Sequence, residues 1–225
     1  MSNTKTKQRM KTFKLSAQPR TVIGKKASVE LRKSGMIPVS LNGGEIVELP
    51  YAGQLGEGET VVEIANNRGI ITRNLQVSVE DVRKLIYTPE IFAIELDING
   101  TTTMAVLKEI QFHPVKDEIL HIDLLEVTDK KPVTIEVPVK LEGHAEGVKA
   151  GGKLSLSMKK IKVRAIYTAI PEKVIVNVDS LGLGKTIQVG DLHFEGLELM
   201  NAKNAVVCAV QLTRAARGAQ AGRSD

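Results

Sequence analysis

Val133-Thr134-Ile135-Glu136-Val137-Pro138-Val139 alternates apolar and polar side chains, and a period of two is what a strand with one buried face requires. Ile161-Lys162-Val163-Arg164-Ala165 and Val174-Ile175-Val176-Asn177-Val178 continue the pattern. Between these runs stand Gly143, Gly147, the pair Gly151-Gly152, Gly182-Leu183-Gly184 and Gly190, all read as turns. Residues 133–210 therefore predict an all-β domain. Just upstream, Thr128-Asp129-Lys130-Lys131-Pro132 is polar and ends in proline, the composition of a linker. Residues 10–127 then form a domain of their own, with residues 1–9 and 211–225 as flexible tails.

The composition agrees with a mainly β chain. Of 225 residues, 42% are hydrophobic but only 3% aromatic, with no Trp and 19 Gly, so the cores must be built from Val, Ile and Leu. The longest apolar runs, such as Ala205 to Val210, fall far short of the ~20 residues of a membrane helix. No apolar signal region follows the charged start, and the expectation is a soluble cytoplasmic protein with no membrane partner. Its one cysteine, Cys208, lies inside that apolar run, which excludes an internal disulfide and fits a reducing compartment.

Along residues 10–127, Lys25 to Ser34 reads as a short helix closed by Gly35. Ala27 and Leu31 define its buried face. Lys25, Ser28 and Arg32 share another face, a basic, hydroxyl-bearing stripe, while Glu30 is placed to pair with Lys26 and Lys33. Met36 to Leu41 follows as a strand, residues 45–75 as short hairpin strands, and Ser78 as the cap of a brief helix ending near Tyr87. Strands at 91–96, 103–110 and 121–127 complete the domain, with Asn99-Gly100 as a tight turn rather than a glycosylation site.

Charge is unevenly distributed. Residues 1–33 hold ten Lys and Arg against one acid, more than the whole formal net charge of +5, so the rest of the chain is net acidic. A basic N-terminal region is the footprint of a phosphate-backbone partner.

Motifs for chemistry are weak by comparison. Gly184-Lys185-Thr186 mimics the end of a phosphate-binding loop, but the required earlier glycine is Asp179 and the following residues read as a strand. His113, His121 and Asp123 lack a third ligand at recognisable spacing, so no metal site is assigned. No nucleophile elbow occurs, and Cys208 has no neighbouring His. The expectation is a non-enzyme with no cofactor and no small-molecule substrate. On one strand face, His121 and Asp123 can present a donor and an acceptor to a base edge.

Several of these segments together resemble the bacterial large-subunit ribosomal protein L twenty-five family, which includes the general stress protein Ctc. One carrier is Arg20-x-x-x-Gly24-Lys25-x-Ala27-Ser28-x-x-Leu31-Arg32-x-x-Gly35-x-Ile37-Pro38. Another is Lys108-Glu109-Ile110-Gln111-x-His113-Pro114-Val115-Lys116, followed by His121-Ile122-Asp123. The second half is similar to the extra domain of the long form, through Gly143-x-Ala145-x-Gly147-Val148-Lys149-x-Gly151-Gly152 and Ile170-Pro171-Glu172. The resemblance implies an N-terminal β-barrel with short helices that docks on an irregularly paired loop of 5S ribosomal RNA, within the large ribosomal subunit and beside other ribosomal proteins. By the same resemblance, RNA contacts fall on Arg20, Lys25, Ser28, Arg32, Gln111, His121 and Asp123.

Two departures from the family pattern bear on affinity. Asn42 stands where a Tyr is usual, and Val29 and Glu30 stand where many members carry Arg or Lys on the first helix. Both changes are expected to weaken RNA binding. They support a second reading, a diverged stress-related paralogue that acts through protein contacts.

Overall fold

The computed structural model describes residues 10–213 except 45, 66, 89 and 130. These residues separate into two compact units that divide between Lys131 and Pro132.

The first unit runs β1 (Lys11–Pro19), α1 (Lys25–Lys33), β2 (Met36–Asn42), β3 (Ile46–Glu48), β4 (Glu59–Ala65), β5 (Arg68–Ser78), α2 (Val79–Ile86), β6 (Phe92–Ile98), β7 (Thr101–Phe112) and β8 (Ile119–Glu126). Strands β1, β6, β7, β8, β2 and β5 pair in that order, and β1 also pairs with β5, which closes a six-stranded barrel. Two of the pairings, β1 with β6 and β2 with β8, are parallel. Strands β3 and β4 flank the end of β5 outside the ring.

Alternation decides which side chains fill the barrel. Ile37, Val39 and Leu41 of β2, Leu75 and Val77 of β5, Ile94 and Leu96 of β6, and Ile122 and Leu124 of β8 are all buried. Each such side chain is worth about 1.5–3 kcal/mol on leaving water. Helix α2 adds Val82 and Leu85 to the same core. Its start is set by Ser78, whose Oγ accepts from the Glu80 amide at 3.3 Å. The turn at Asn99-Gly100 has φ of 50° and 88°, the left-handed pair that a two-residue hairpin demands.

Local differences from the sequence reading have identifiable causes. Strand β5 is eleven residues long, where only short strands were expected, because Arg73, Asn74 and Gln76 interrupt its apolar pattern without interrupting its pairing to β2. Helix α1 has no fully buried residue; Ala27 and Leu31 are only half-buried. Among the described residues Glu30 forms no ion pair with Lys26 or Lys33.

The second unit runs β9 (Val133–Glu142), α3 (Glu146–Lys149), β10 (Lys153–Leu156), β11 (Lys160–Ala165), β12 (Val174–Asn177), β13 (Thr186–Gln188), β14 (Glu198–Leu199) and β15 (Val206–Gln211). It forms a four-stranded sheet ordered β12-β9-β11-β14 and a three-stranded sheet ordered β10-β15-β13. Val137, Ile161, Val163, Val178 and Cys208 are fully buried, and burial pushes the Cys208 thiol above its ordinary pKa. The helical turn α3 departs from the all-β expectation, at a place where Gly147 reads as a turn. Gly184 leads into β13 rather than a helix, so Gly184-Lys185-Thr186 lacks the strand-to-helix setting of a phosphate loop. Of the expected tails, 1–9 and 211–225, residues 1–9 and 214–225 lie outside the described residues, while Gln211 ends β15 and Thr213 Oγ1 donates to Gly151 O at 2.7 Å. Among the described residues no helix is long and apolar enough to cross a membrane.

The glycines before β10 have a packing role. A Cβ on Gly147 would stand 2.6 Å from the backbone of Gly182 and Leu183, and one on Gly143, at φ 100°, would strike the Asp179 carboxylate. That carboxylate accepts from the His144 amide at 2.7 Å. The His144 bond, then the Asn177 contact, holds Asp179 below its ordinary pKa. A lowered folded-state pKa stabilises the fold fully above the unfolded value of about 3.9 and is lost as pH falls through the folded one. Thermal melts of Asp179→Asn should therefore lie below wild type at neutral pH and converge with it in strong acid. Gly147→Ala should destabilise the second unit by about 1–3 kcal/mol in a denaturant titration, since backbone rather than a flexible side chain must yield.

Candidate nucleic-acid interface

Barrel closure delivers the first cationic group. Strand β1 leaves β6 and crosses to β5 at Gln18↔Gln76 and Pro19↔Leu75, and the Arg20 amide continues the ladder by donating to Asn74 O at 2.8 Å. The Arg20 side chain is thereby fixed at a barrel corner. Its Nη2 donates to Ser28 Oγ at 2.8 Å and its Nε to Val22 O at 2.9 Å. Ser28 Oγ passes the bond on to Gly24 O at 2.9 Å, tying α1 to the end of β1.

Arg32, one turn further along α1, donates from Nε to Leu120 O at 3.0 Å. This bond anchors the helix to β8 immediately before His121. Burial first, and then the positive charge of Arg32, lowers the Arg20 pKa from its ordinary value. Arg20 and Arg32 thus stand near enough to feel each other's charge, a like-charge repulsion that a bound anion would offset. Lys25 stands exposed in the first turn of the same helix.

The second group lies on the outer wall of the barrel. Gln111 of β7 is opposite His121 of β8, Glu109 is opposite Asp123, and Asp123 is opposite Ser40 of β2. His121 Nε2 is 3.1 Å from Ser40 Oγ, and its Nδ1 is 3.6 Å from Asp123 Oδ1. The imidazole is therefore held between a hydroxyl and a carboxylate, only about a quarter exposed. Two carboxylates, Glu109 and Asp123, face each other across the strands, an arrangement that favours a donor-bearing ligand.

The wall continues around the barrel. Ser40 pairs with Asn74, Pro38 with Gln76, and Gln76 with Gln18. Gln76 Nε2 donates to Gln18 Oε1 at 3.1 Å, and Asn74 Nδ2 donates to Thr60 Oγ1 at 3.0 Å. Asn42, at the position of the usual Tyr, accepts from Thr72 Oγ1 at 3.2 Å and is spent within the wall.

The structure thus places Arg20, Ser28 and Arg32 together at one corner and Gln111, His121 and Asp123 together on the wall, joined through Arg32 and Leu120. Lys25 shares the helix but touches neither group. Ser40, Asn74, Gln76 and Gln18 were missed, although alternation with buried Ile37, Val39, Leu75 and Val77 marks Ser40 and its β5 neighbours as outward-facing. His113 is separate: its Nδ1 accepts from the Val115 and Lys116 amides at 3.3 and 3.2 Å and closes the loop before β8. Among the described residues no three His, Cys, Asp or Glu gather as a metal site would need.

A closed barrel with an amide, hydroxyl, imidazole and carboxylate wall and two arginines at its corner has the groups that a polar, anionic ligand would require. Family comparison carries this further. The Ribosomal L25p family matches residues 61–124, and the C-terminal domain of ribosomal protein TL5 matches residues 132–214. The large ribosomal subunit protein bL25 of Parabacteroides distasonis is 58% identical over 94% of this chain and 99% of its own length. That of Porphyromonas gingivalis is 58% identical over 93% and 97%, and that of Bacteroides thetaiotaomicron 50% identical over 94% and 98%. The chain belongs to the large ribosomal subunit protein bL25 family, in its long form with the TL5-type C-terminal domain. This is a family of ribosomal structural proteins rather than enzymes.

The anchoring role of Arg32 is separable from any ligand. Arg32→Ala should lower the stability of the free protein by about 1 kcal/mol in denaturant titration, since a half-exposed charged hydrogen bond is lost. Lys25→Ala should leave it within about 0.5 kcal/mol.

Proposed function

We propose that this protein is a structural component of the large ribosomal subunit and binds 5S ribosomal RNA through the outer wall and corner of its barrel. The observation that carries this reading is the guanidinium pair of Arg20 and Arg32, preorganised beside a wall that holds His121 between Ser40 and Asp123. Arg20, Arg32 and Lys25 neutralise phosphates, and Ser28 donates to one when its hydroxyl turns from Gly24 O. Gln111, His121 and Asp123 read base edges that an irregularly paired loop exposes, with Asp123 accepting from a base amino group. Location in the cytoplasm, on the ribosome, follows from that partner.

The alternative, a paralogue with weakened RNA binding, rests on Val29, which is 44% exposed where a cation is usual, and on the neighbouring Glu30. Equilibrium binding of the full chain to 5S rRNA separates the two, using a second RNA whose irregular loop is replaced by regular duplex, at low and physiological salt. The proposal predicts salt-sensitive binding that needs the irregular loop. Lys25→Ala should flatten the salt slope by about one unit, and His121→Ala should cost about 1–3 kcal/mol of discrimination between the two RNAs. Absent binding, or equal binding to both RNAs, contradicts the proposal and favours the paralogue.

A further inference from the structure

Beyond the closed ring, β3, β5 and β4 make a three-stranded ribbon whose register aligns Ile46, Ile70 and Val62 in one row. Ile70 is half-buried, but Ile46 is 61% exposed and Val62 49% exposed. Ile64, two residues along from Val62, is 58% exposed. Adjacent β-branched side chains on one face of a ribbon are an apolar patch, not scattered surface residues. Ile70 is followed on the same face of β5 by Thr72, Asn74 and Gln76, so the patch prolongs the polar wall past the end of the barrel.

Its charge distinguishes it from that wall. Residues 45–68 contain five Glu against one cation, Arg68, which is opposite Glu48 in the register; Glu48, Glu57, Glu63 and Arg68 are exposed, so the ribbon end is net acidic. Phosphates are repelled there, and aliphatic side chains offer neither hydrogen bonds nor an aromatic platform to bases. A second copy of the chain would bring the same acidic ribbon against itself, as any isologous contact must. A surface that is both apolar and acidic fits a protein partner that is basic and carries apolar anchors.

We propose that the β3-β5-β4 ribbon is a docking surface for a basic protein neighbour in the large ribosomal subunit. The proposal rests on the reading of the chain as a ribosomal component and needs no particular RNA contact. Because Cys208 is fully buried, Val62→Cys introduces a single accessible thiol. The full-length variant carrying a benzophenone maleimide at that position is built into large subunits and irradiated. A cross-link to a basic ribosomal protein, and for the unlabelled Val62→Cys chain a maleimide reaction slowed about tenfold or more in the subunit relative to the free chain, is the expected result. A cross-link to ribosomal RNA or to a second copy, or a thiol equally reactive in both states, overturns the proposal.

A paired substitution, Ile46→Lys with Val62→Lys, should lower retention on high-salt-washed subunits about tenfold while leaving affinity for isolated 5S rRNA within about twofold. Both positions are exposed, so folding is preserved, and an unchanged thermal melt checks this. Unchanged retention, or an equal loss of 5S rRNA binding, overturns the docking proposal. Should the unsubstituted chain fail to bind isolated 5S rRNA, the RNA reading falls, and the cross-link still decides this one.

Discussion

Closure of the barrel by β1 is the constraint on which the first unit depends. One strand must run parallel to β6 from Lys11 to Ala17 and then meet β5 antiparallel at Gln18 and Pro19. The exchange of partners within nine residues leaves the sheet with no open edge along the ring. It also fixes where β1 must end. Arg20 therefore leaves the ladder beside Asn74 and meets α1 through Ser28, so the cationic corner is a consequence of closure rather than an addition to it.

The same closure sorts polar from apolar residues. With Val, Ile and Leu committed to the interior by alternation, the outward positions of β8, β2, β5 and β1 are left to His121, Asp123, Ser40, Asn74, Gln76 and Gln18. Most of these are satisfied by one another, which holds their donors and acceptors in a set arrangement before a ligand arrives. The cations of this surface that the site uses stand at the corner and on α1, whereas Lys14 and Arg73 elsewhere on the barrel are paired with Glu95, Glu59 and Glu126. A division into a wall of amide, hydroxyl, imidazole and carboxylate groups and a cationic corner suits a ligand with base edges on one side and phosphates on the other.

Much of the fold is legible in the residues. Period-two alternation from Val133 to Val139 marks β9, Ser78 marks the start of α2, and Asn99-Gly100 marks the β6–β7 turn. What was not legible depends on pairing between distant segments. Arg73, Asn74 and Gln76 conceal the length of β5, whose identity as a strand comes from β2 and not from its own pattern. The helical turn at Glu146–Lys149 is hidden by Gly147, needed there for close approach to Gly182 rather than for a turn. Ser40 was passed over for a similar reason: nothing local announces that it will face His121 eighty-one residues away. His121 and Asp123, by contrast, are legible from their shared strand face, whereas Gln111 could be named only because a family pattern singled it out.

The central claim is that the outer wall and corner of the barrel form the RNA surface. Amide hydrogen exchange on the full chain, with and without 5S rRNA, tests it most directly. The account predicts slowed exchange confined to α1, the segment from Arg20 to Gly24, and the outer-wall strands β8 and β2, with the second unit unchanged. Slowed exchange confined to the second unit, or none anywhere under saturating RNA, would contradict it.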